Sequence, residues 1–253
     1  MGVGYDSTSH PALVDRVLAA RRDPEVVVLE GAHALKHALR FRADIEVVVT
    51  PDRDALLALL AALAEDVVAE VAERAVPLDA AAWRRVAPRE LPSPALALAS
   101  RPRWTQVDVL AAAGRVLALE RPRHLGNLGA CVRVAAAAGA GGVLTLGDGD
   151  PWHPTAVRAA AGLHLALPVA RADTLPVTDR PVVGLDARGR ALHGEPLPGD
   201  AVVVVGTERA GLSPTLKGRV DELRAIEMRP GVSSLNLATA VAVALYADRC
   251  HAQ

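Results

Sequence analysis

Cysteine is nearly absent: this chain of 253 residues has two, Cys131 and Cys250. They stand far apart with no second Cys or His at ligand spacing, so neither a disulfide framework nor a zinc site is expected, and both read as small hydrophobes. Lysine is equally scarce. Lys36 and Lys217 are the only two, and arginine carries almost all of the positive charge. No apolar run approaches the length of a membrane span, and residues 1–10 contain no basic stretch leading into an apolar segment. No secretory leader is read, and a cytoplasmic location is expected. The glycine fingerprint of dinucleotide-binding folds is missing as well: Gly139, Gly141 and Gly142 cluster at the wrong spacing and ahead of a strand, and there is no P-loop. A nicotinamide-type oxidoreductase therefore lacks its signature.

A strong basic excess is also lacking. The net charge is −1, whereas a protein that neutralises phosphates usually carries a basic footprint. The distribution matters more than the sum, because arginine grips phosphate with two parallel donors where lysine offers a point charge. The arginines pair along the chain as Arg21 and Arg22, Arg40 and Arg42, Arg84 and Arg85, Arg101 and Arg103, and Arg121 and Arg123. Any one pair reads equally as an ordinary solvated face.

With 51% hydrophobic and 23% charged residues, the composition is that of a globular protein with a real core. Strand-like runs at Val26–Leu29, Glu46–Thr50 and Ala95–Ala99 alternate with helical stretches at Ala32–Leu39, Asp54–Val67 and Ala80–Arg85. This is a small α/β unit. The stretch Ser100–Gln106 breaks both periodicities and carries a proline, so domains are expected at residues 1–105 and 106–253. Beyond it, strands at Val116–Leu119, Val143–Leu146, Val202–Val205 and Leu223–Ile226 alternate with helices. These begin near Leu128, Pro154 and Pro214, and the last runs over Leu235–Arg249. Such alternation predicts a parallel sheet with helices on both faces, whose ligands bind in loops at the carboxyl ends of the strands.

Three of those loops carry unusual residues. The first, RPRHLGNLGACVR, sets Asn127, Gly129 and Arg133 in a strand-to-helix turn; alone, it reads as an N-cap asparagine followed by a solvated arginine. In the second, VVVVGTERAGLSP, Gly206 permits a tight strand exit, Glu208 offers a carboxylate, and Gly211 gives a flexible point before Ser213 opens a helix. The third, AIEMRPGVSSLNLATAVAVALYA, turns at Pro230 and Gly231 and places Ser233 and Ser234 at a helix start.

The ordered set N-x-G-x-x-x-R, G-x-E-x-x-G-L-S and S-L-N followed by an apolar helix closely resembles the three motifs of the TrmH-type SPOUT RNA methyltransferases. DPWHPTAVRAAAGLHLALPV is similar to the segment linking those motifs in the family. The resemblance covers Val107 to Gln253, and VVVLEGAHALKHAL before it looks like the small substrate-binding domain of many members. It implies an α/β fold with a small N-terminal RNA-binding domain and a parallel-sheet catalytic domain closed by a deep trefoil knot. General topology rules would not predict such a knot. It further implies S-adenosylmethionine as cofactor, an RNA ribose 2′-hydroxyl as acceptor (ribosomal RNA before transfer RNA), and a homodimer; the alternative is a catalytically silent RNA-binding protein that keeps the fold, against which Arg133, Asn127, Glu208 and Asn236 all stand. Asn127, Arg133, Glu208, Ser234 and Asn236 fall on the family's functional positions. Gly206, Thr207, Ile226, Met228 and Leu235 fall where its loops hold the cofactor. Two positions depart from the family pattern: His124 and Leu125 replace an Asp-Pro or Asn-Pro pair, and Thr207 stands where Asn is frequent.

Physical chemistry refines the implied roles. Guanidinium has a pKa above about 12 and stays protonated, so Arg133 is read as a phosphate contact and stabiliser of the developing alkoxide, not as the base. Glu208 is read as a loop organiser, Ser234 as a helix cap, and Asn236 as a tie between the third loop and the first. The last helix is apolar nearly all round, with Leu237, Val241, Val243 and Leu245, and must be covered on more than one side.

Overall fold

The structure, a computed structural model, describes residues 10–193, 195–207 and 210–247. The chain divides into two compact units, with the division between Pro102 and Arg103.

The N-terminal unit contains α1 (His10–Ala20), β1 (Val26–Glu30), α2 (Ala32–Arg40), β2 (Ile45–Thr50), α3 (Arg53–Leu63), α4 (Val68–Arg74), β3 (Ala75–Pro77), α5 (Ala80–Val86) and β4 (Leu96–Ser100). Its sheet runs β1-β4-β2-β3, with β4 antiparallel to both neighbours and β3 parallel to β2. On α2, Ala34, Leu35, Ala38 and Leu39 are buried while Arg40 faces out, the stripe that a 3.6-residue period dictates. The single helix expected over Asp54–Val67 is in fact two pieces. It starts at an Asp52 cap whose side chain accepts from the Ala55 amide, and ends at Leu63. Ala64 then adopts φ −167°, and a 3-10 turn at Glu65–Val67 leads into α4. The break buries Val67 and Val71. Nothing in an Ala/Leu run signals such a stop.

Several of the paired arginines are used inside this unit. Glu30, buried, accepts from Arg21 at 2.9 Å and from Arg89 at 3.1 Å. Arg40 grips Asp66 with two bonds, and Arg85 meets Asp15 at 3.1 Å. A buried carboxylate is tolerable only with such partners.

The C-terminal unit contains α6 (Gln106–Ala111), β5 (Val116–Glu120), α7 (Leu125–Ala137), β6 (Gly142–Leu146), α8 (Pro154–Ala159), β7 (Val169–Ala172), β8 (Val182–Ala191), β9 (Val202–Val205), α9 (Pro214–Lys217), β10 (Glu222–Ala225) and α10 (Leu237–Tyr246). A six-stranded sheet runs β10-β8-β9-β5-β6-β7, and every pairing in it is parallel. One face packs Ala118, Leu144 and Val204 against Val109 of α6 and Leu216 of α9. The strand residues in between point to the other face, where α7 packs against α8 and α10. Gly129 makes the first of these contacts possible: a Cβ there would lie 2.1 Å from the Ala156 carbonyl oxygen of α8.

Strand β8 was not expected, because its sequence VVGLDARGRA contains two glycines and three charges and shows neither periodicity. Parallel pairing on both sides makes it a strand. At Gly189 a Cβ would come within 2.5 Å of the Arg224 amide, so only glycine allows β8 and β10 to meet there.

The Arg180 guanidinium ties the start of β8 to α6 and β9. It donates to the carbonyls of Asp200 (2.6 Å), Leu110 (2.8 Å), Ala112 (2.9 Å) and Gly114. Two of these oxygens belong to the end of α6, where the carbonyls lack helical partners. Replacing Arg180 with Ala is expected to destabilise this unit by about 3 kcal/mol, read as a lower denaturant midpoint at unchanged slope. An unchanged midpoint would show that water serves these carbonyls as well as the guanidinium does.

Candidate functional site

The middle of β8 and the carboxyl ends of β9 and β10 surround a cavity of about 290 Å³. The loop after β9 is folded on itself: Thr207 and Gly211 exchange two backbone hydrogen bonds of 3.0 Å each, and the Thr207 hydroxyl accepts from the Ala210 amide. Gly206 is required for this fold-back, since a Cβ there would sit 2.0 Å from the Gly211 carbonyl carbon. Gly211 has φ +65°, and a Cβ on it would meet nothing within 4 Å. The loop therefore offers a backbone wall with open space beside it. Val205, Ile226, Met228, Leu235 and Leu237 supply apolar lining. Such a lining suits a flat purine and a sulfonium, whose charge is spread over soft carbon and sulfur, better than a strongly hydrated ion.

All five positions expected to hold a cofactor, Gly206, Thr207, Ile226, Met228 and Leu235, line this cavity, and Ser234 lines it too. Two local expectations need correction. Helix α7 begins at Leu125 with His124 at its cap, so Asn127 lies in the first turn and is not the N-cap. Ser234 is not the cap of the last helix; that place belongs to Asn236, whose Oδ1 accepts from the amides of Ala238 (2.9 Å) and Thr239 (3.4 Å). Because Oδ1 is committed to the helix, the amide nitrogen is the group Asn236 presents outward, and it donates to Asn127 Oδ1 at 3.2 Å. The third loop and the first are thereby joined. Arg133 lies further along α7, is exposed, and its side chain has no hydrogen bond or ion pair among the described residues. Glu208 lies outside the described residues.

Sequence reasoning missed the β8 side of the cavity because it missed the strand. Leu185, Asp186 and Ala187 line it, as does Arg224. The Lys217 ammonium, 2.5 Å from Asp186, and then the Arg188 amide hold that carboxyl below the usual carboxylate range. Arg224 is fully buried, between Glu222 (3.3 Å) and Glu195 (3.2 Å), and also donates to the Ala191 carbonyl. Its charge is compensated within the protein. Among the described residues, no group of three or more His, Cys, Asp or Glu is placed to hold a metal ion, and no helix is long and apolar enough to cross a membrane.

The family model described as SpoU rRNA Methylase matches residues 114–246, more than half of the chain. The chain belongs to the SpoU rRNA methylase family. It is 27% identical over 239 residues to the 23S rRNA (guanosine(2553)-2′-O)-methyltransferase RlmP of Bacillus subtilis, covering 89% of each chain. It is 40% identical over 155 residues to an uncharacterized tRNA/rRNA methyltransferase of Mycobacterium bovis; that match takes in 55% of this chain and spans about half, 48%, of the relative. Among solved structures, the SpoU methyltransferase AviRb of Streptomyces viridochromogenes, in complex with the cofactor AdoMet, superposes with a TM-score of 0.75 at 21% identity. That likeness covers 95% of this chain and 98% of AviRb, and it establishes the shared fold. The family's matched span runs from β5 to α10 and so contains all three loops of the candidate site.

Proposed function

We propose that the protein methylates a ribose 2′-hydroxyl of ribosomal RNA, with S-adenosylmethionine bound in the cavity between β8, β9 and β10. The observation that carries this reading is the union of three loops in one place. The fold-back loop and the third loop line the cavity, and the Asn236–Asn127 hydrogen bond draws the Arg133 helix to its edge. The cofactor supplies a methyl group on a sulfonium. The chain supplies alignment, which can account for roughly 7–11 kcal/mol of such a barrier. It also supplies a guanidinium that binds a phosphate and stabilises the developing alkoxide, while phosphate or water takes the proton. Arg121, Arg123 and His124, all exposed, precede Arg133, and none of these three arginine side chains has an ion pair among the described residues. This local concentration of unsatisfied positive charge answers the near-neutral total. Ribosomal RNA is favoured over transfer RNA because the likeness to RlmP runs through both units. Mapping 2′-O-methylated riboses in RNA from cells with and without the protein tests the proposal. Loss of a ribosomal methyl supports it, a lost transfer-RNA methyl moves the substrate, and an unchanged map sinks the activity.

The homodimer belongs to the same reading. Helix α10 buries Leu237, Val241, Ala244 and Leu245, yet Val243 is 40% exposed, and Val232 and Leu235 before it are exposed too. An apolar stripe of this kind beside a site calls for a cover. Light scattering at micromolar concentration is expected to give a dimer mass, and Val243→Glu is expected to shift it to a monomer. A monomeric mass for the unaltered protein would remove this part of the proposal.

A further inference from the structure

A second cavity, of about 180 Å³, opens at the same carboxyl edge of the sheet but on the α6 and α9 side. Leu146, Leu175 and Leu216 form its apolar walls, and Glu120, the last residue of β5, contributes a carboxylate. Glu120 is only 8% exposed. Its Oε2 accepts from the Ser213 amide at 2.8 Å, and among the described residues its Oε1 has no hydrogen-bond partner. Two guanidiniums stand at the rim. Arg219 is anchored on the carbonyls of Leu175 and Pro176. Arg121 is held at φ +43°, a left-handed conformation that costs a non-glycine residue about 1–2 kcal/mol, and its stem lies across Gly147, where a Cβ would come within 3.0 Å of Arg121 Cγ. Such strain at a cavity edge is a pointer to function. Asp173, paired to Arg171 at 3.3 Å, completes the lining.

Carboxylate and guanidinium groups share this cavity: Glu120 faces inward with Arg121 and Arg219 at the rim, while Asp173 is already paired to Arg171. A phosphate would meet the Glu120 carboxylate and a cation two guanidiniums, so a neutral polar ring that both donates and accepts suits it better than either ion. We propose that the cavity receives an unstacked guanine base of the RNA, read by Glu120. A carboxylate matches the adjacent N1–H and N2–H donors of guanine, each oxygen having lone pairs for more than one donor. Guanidinium groups donate to O6 and stack on the ring, and leucines cover its faces. Adenine presents an acceptor at N1, facing the carboxylate oxygen, and cytosine offers a single donor group. The cofactor cavity lies on the α10 side of the sheet, so the base held here belongs to a nucleotide neighbouring the methylated one. The β9–α9 segment lines both cavities, with Gly206 and Thr207 on one side and Ser213 and Thr215 on the other. This inference rests on the RNA-methylating role proposed above.

The test titrates the full chain with guanosine, inosine, adenosine and cytidine 5′-monophosphates at millimolar concentration, followed by NMR, while S-adenosylmethionine binding is measured separately by calorimetry. Guanosine monophosphate is expected to bind about tenfold more tightly than inosine monophosphate, which lacks the N2 amine, in keeping with the discrimination of one bidentate pair. Glu120→Gln keeps an acceptor for the Ser213 amide but removes the second one, and is expected to erase the guanine preference with cofactor affinity unchanged. Equal binding of the four nucleotides to the unaltered protein, or no binding, overturns the guanine site whether or not the variant folds, and a guanine preference retained by Glu120→Gln overturns the assignment to that residue. Failure to bind S-adenosylmethionine would instead overturn the proposed function and leave the nucleotide result to stand separately.

Discussion

Replacing Arg133 with lysine is expected to lower turnover by about 10²- to 10³-fold, the loss seen when one positioned donor to a developing oxyanion is removed. Cofactor affinity should hold. Arg133 does not line the cofactor cavity, and its side chain is exposed without hydrogen bonds or ion pairs among the described residues, so nothing buried is orphaned by its removal. Stability is expected to change by no more than about 0.5 kcal/mol, as for most surface substitutions. The pH profile separates the possible roles. If residue 133 had to give up a proton to act, lysine, with an ordinary pKa near about 10.4, would do so more readily than arginine, and the variant would recover rate as the pH rises toward that value. If the guanidinium acts as a fixed, forked donor to phosphate and alkoxide, lysine keeps the charge but loses the fork, and the deficit persists across the alkaline limb. A variant that turned over at the unaltered rate with cofactor affinity intact would leave Arg133 without a catalytic role.

What could be read from the sequence followed from how locally each feature is encoded. The short, continuous apolar runs at Val116–Leu119 and Val202–Val205, buried on both faces and too short for helices, became β5 and β9. Strand β8 was illegible because its partners, not its own residues, make it a strand, and with it went Asp186 and the β8 wall of the cavity. The end of α3 was hidden because the alanines and leucines up to the break, and Ala64 and Glu65 after it, all favour helix; the stop turns the following residues so that Val67 and Val71 are buried. The caps failed for a different reason. Ser234 and Asn127 are good capping types, and the sequence cannot say which of several adjacent polar residues the backbone will select. Asn236 was selected over Ser234, and His124, which makes no side-chain cap bond, over Asn127. By contrast the tie between Asn236 and Asn127, expected from the motif order, is present as a direct hydrogen bond.

The glycine of the second loop should be the least replaceable residue of the cofactor cavity. Gly206→Ala adds one methyl, and its carbon would fall 2.0 Å from the Gly211 carbonyl carbon and 2.2 Å from the Leu212 amide nitrogen. These are backbone atoms and cannot swing aside as a side-chain end could. Gly206 carries no left-handed φ, so the cost is one of contact and not of conformation. Relief requires moving Gly211 and Leu212 away from Gly206, which breaks the paired hydrogen bonds between Thr207 and Gly211. Overpacking by a methyl in a closed setting costs about 1–3 kcal/mol. The strain falls on the wall that forms the cavity, so S-adenosylmethionine affinity is expected to drop roughly 10- to 100-fold, a tenfold loss answering to about 1.4 kcal/mol. Gly211→Ala is the control: it lies in the same loop, and its methyl would enter open space, so it tests left-handed backbone strain without the clash. Calorimetry on both variants, with urea denaturation to separate affinity from stability, distinguishes the outcomes. Unaltered cofactor affinity in Gly206→Ala would mean that the folded-back loop is not the wall that holds the cofactor.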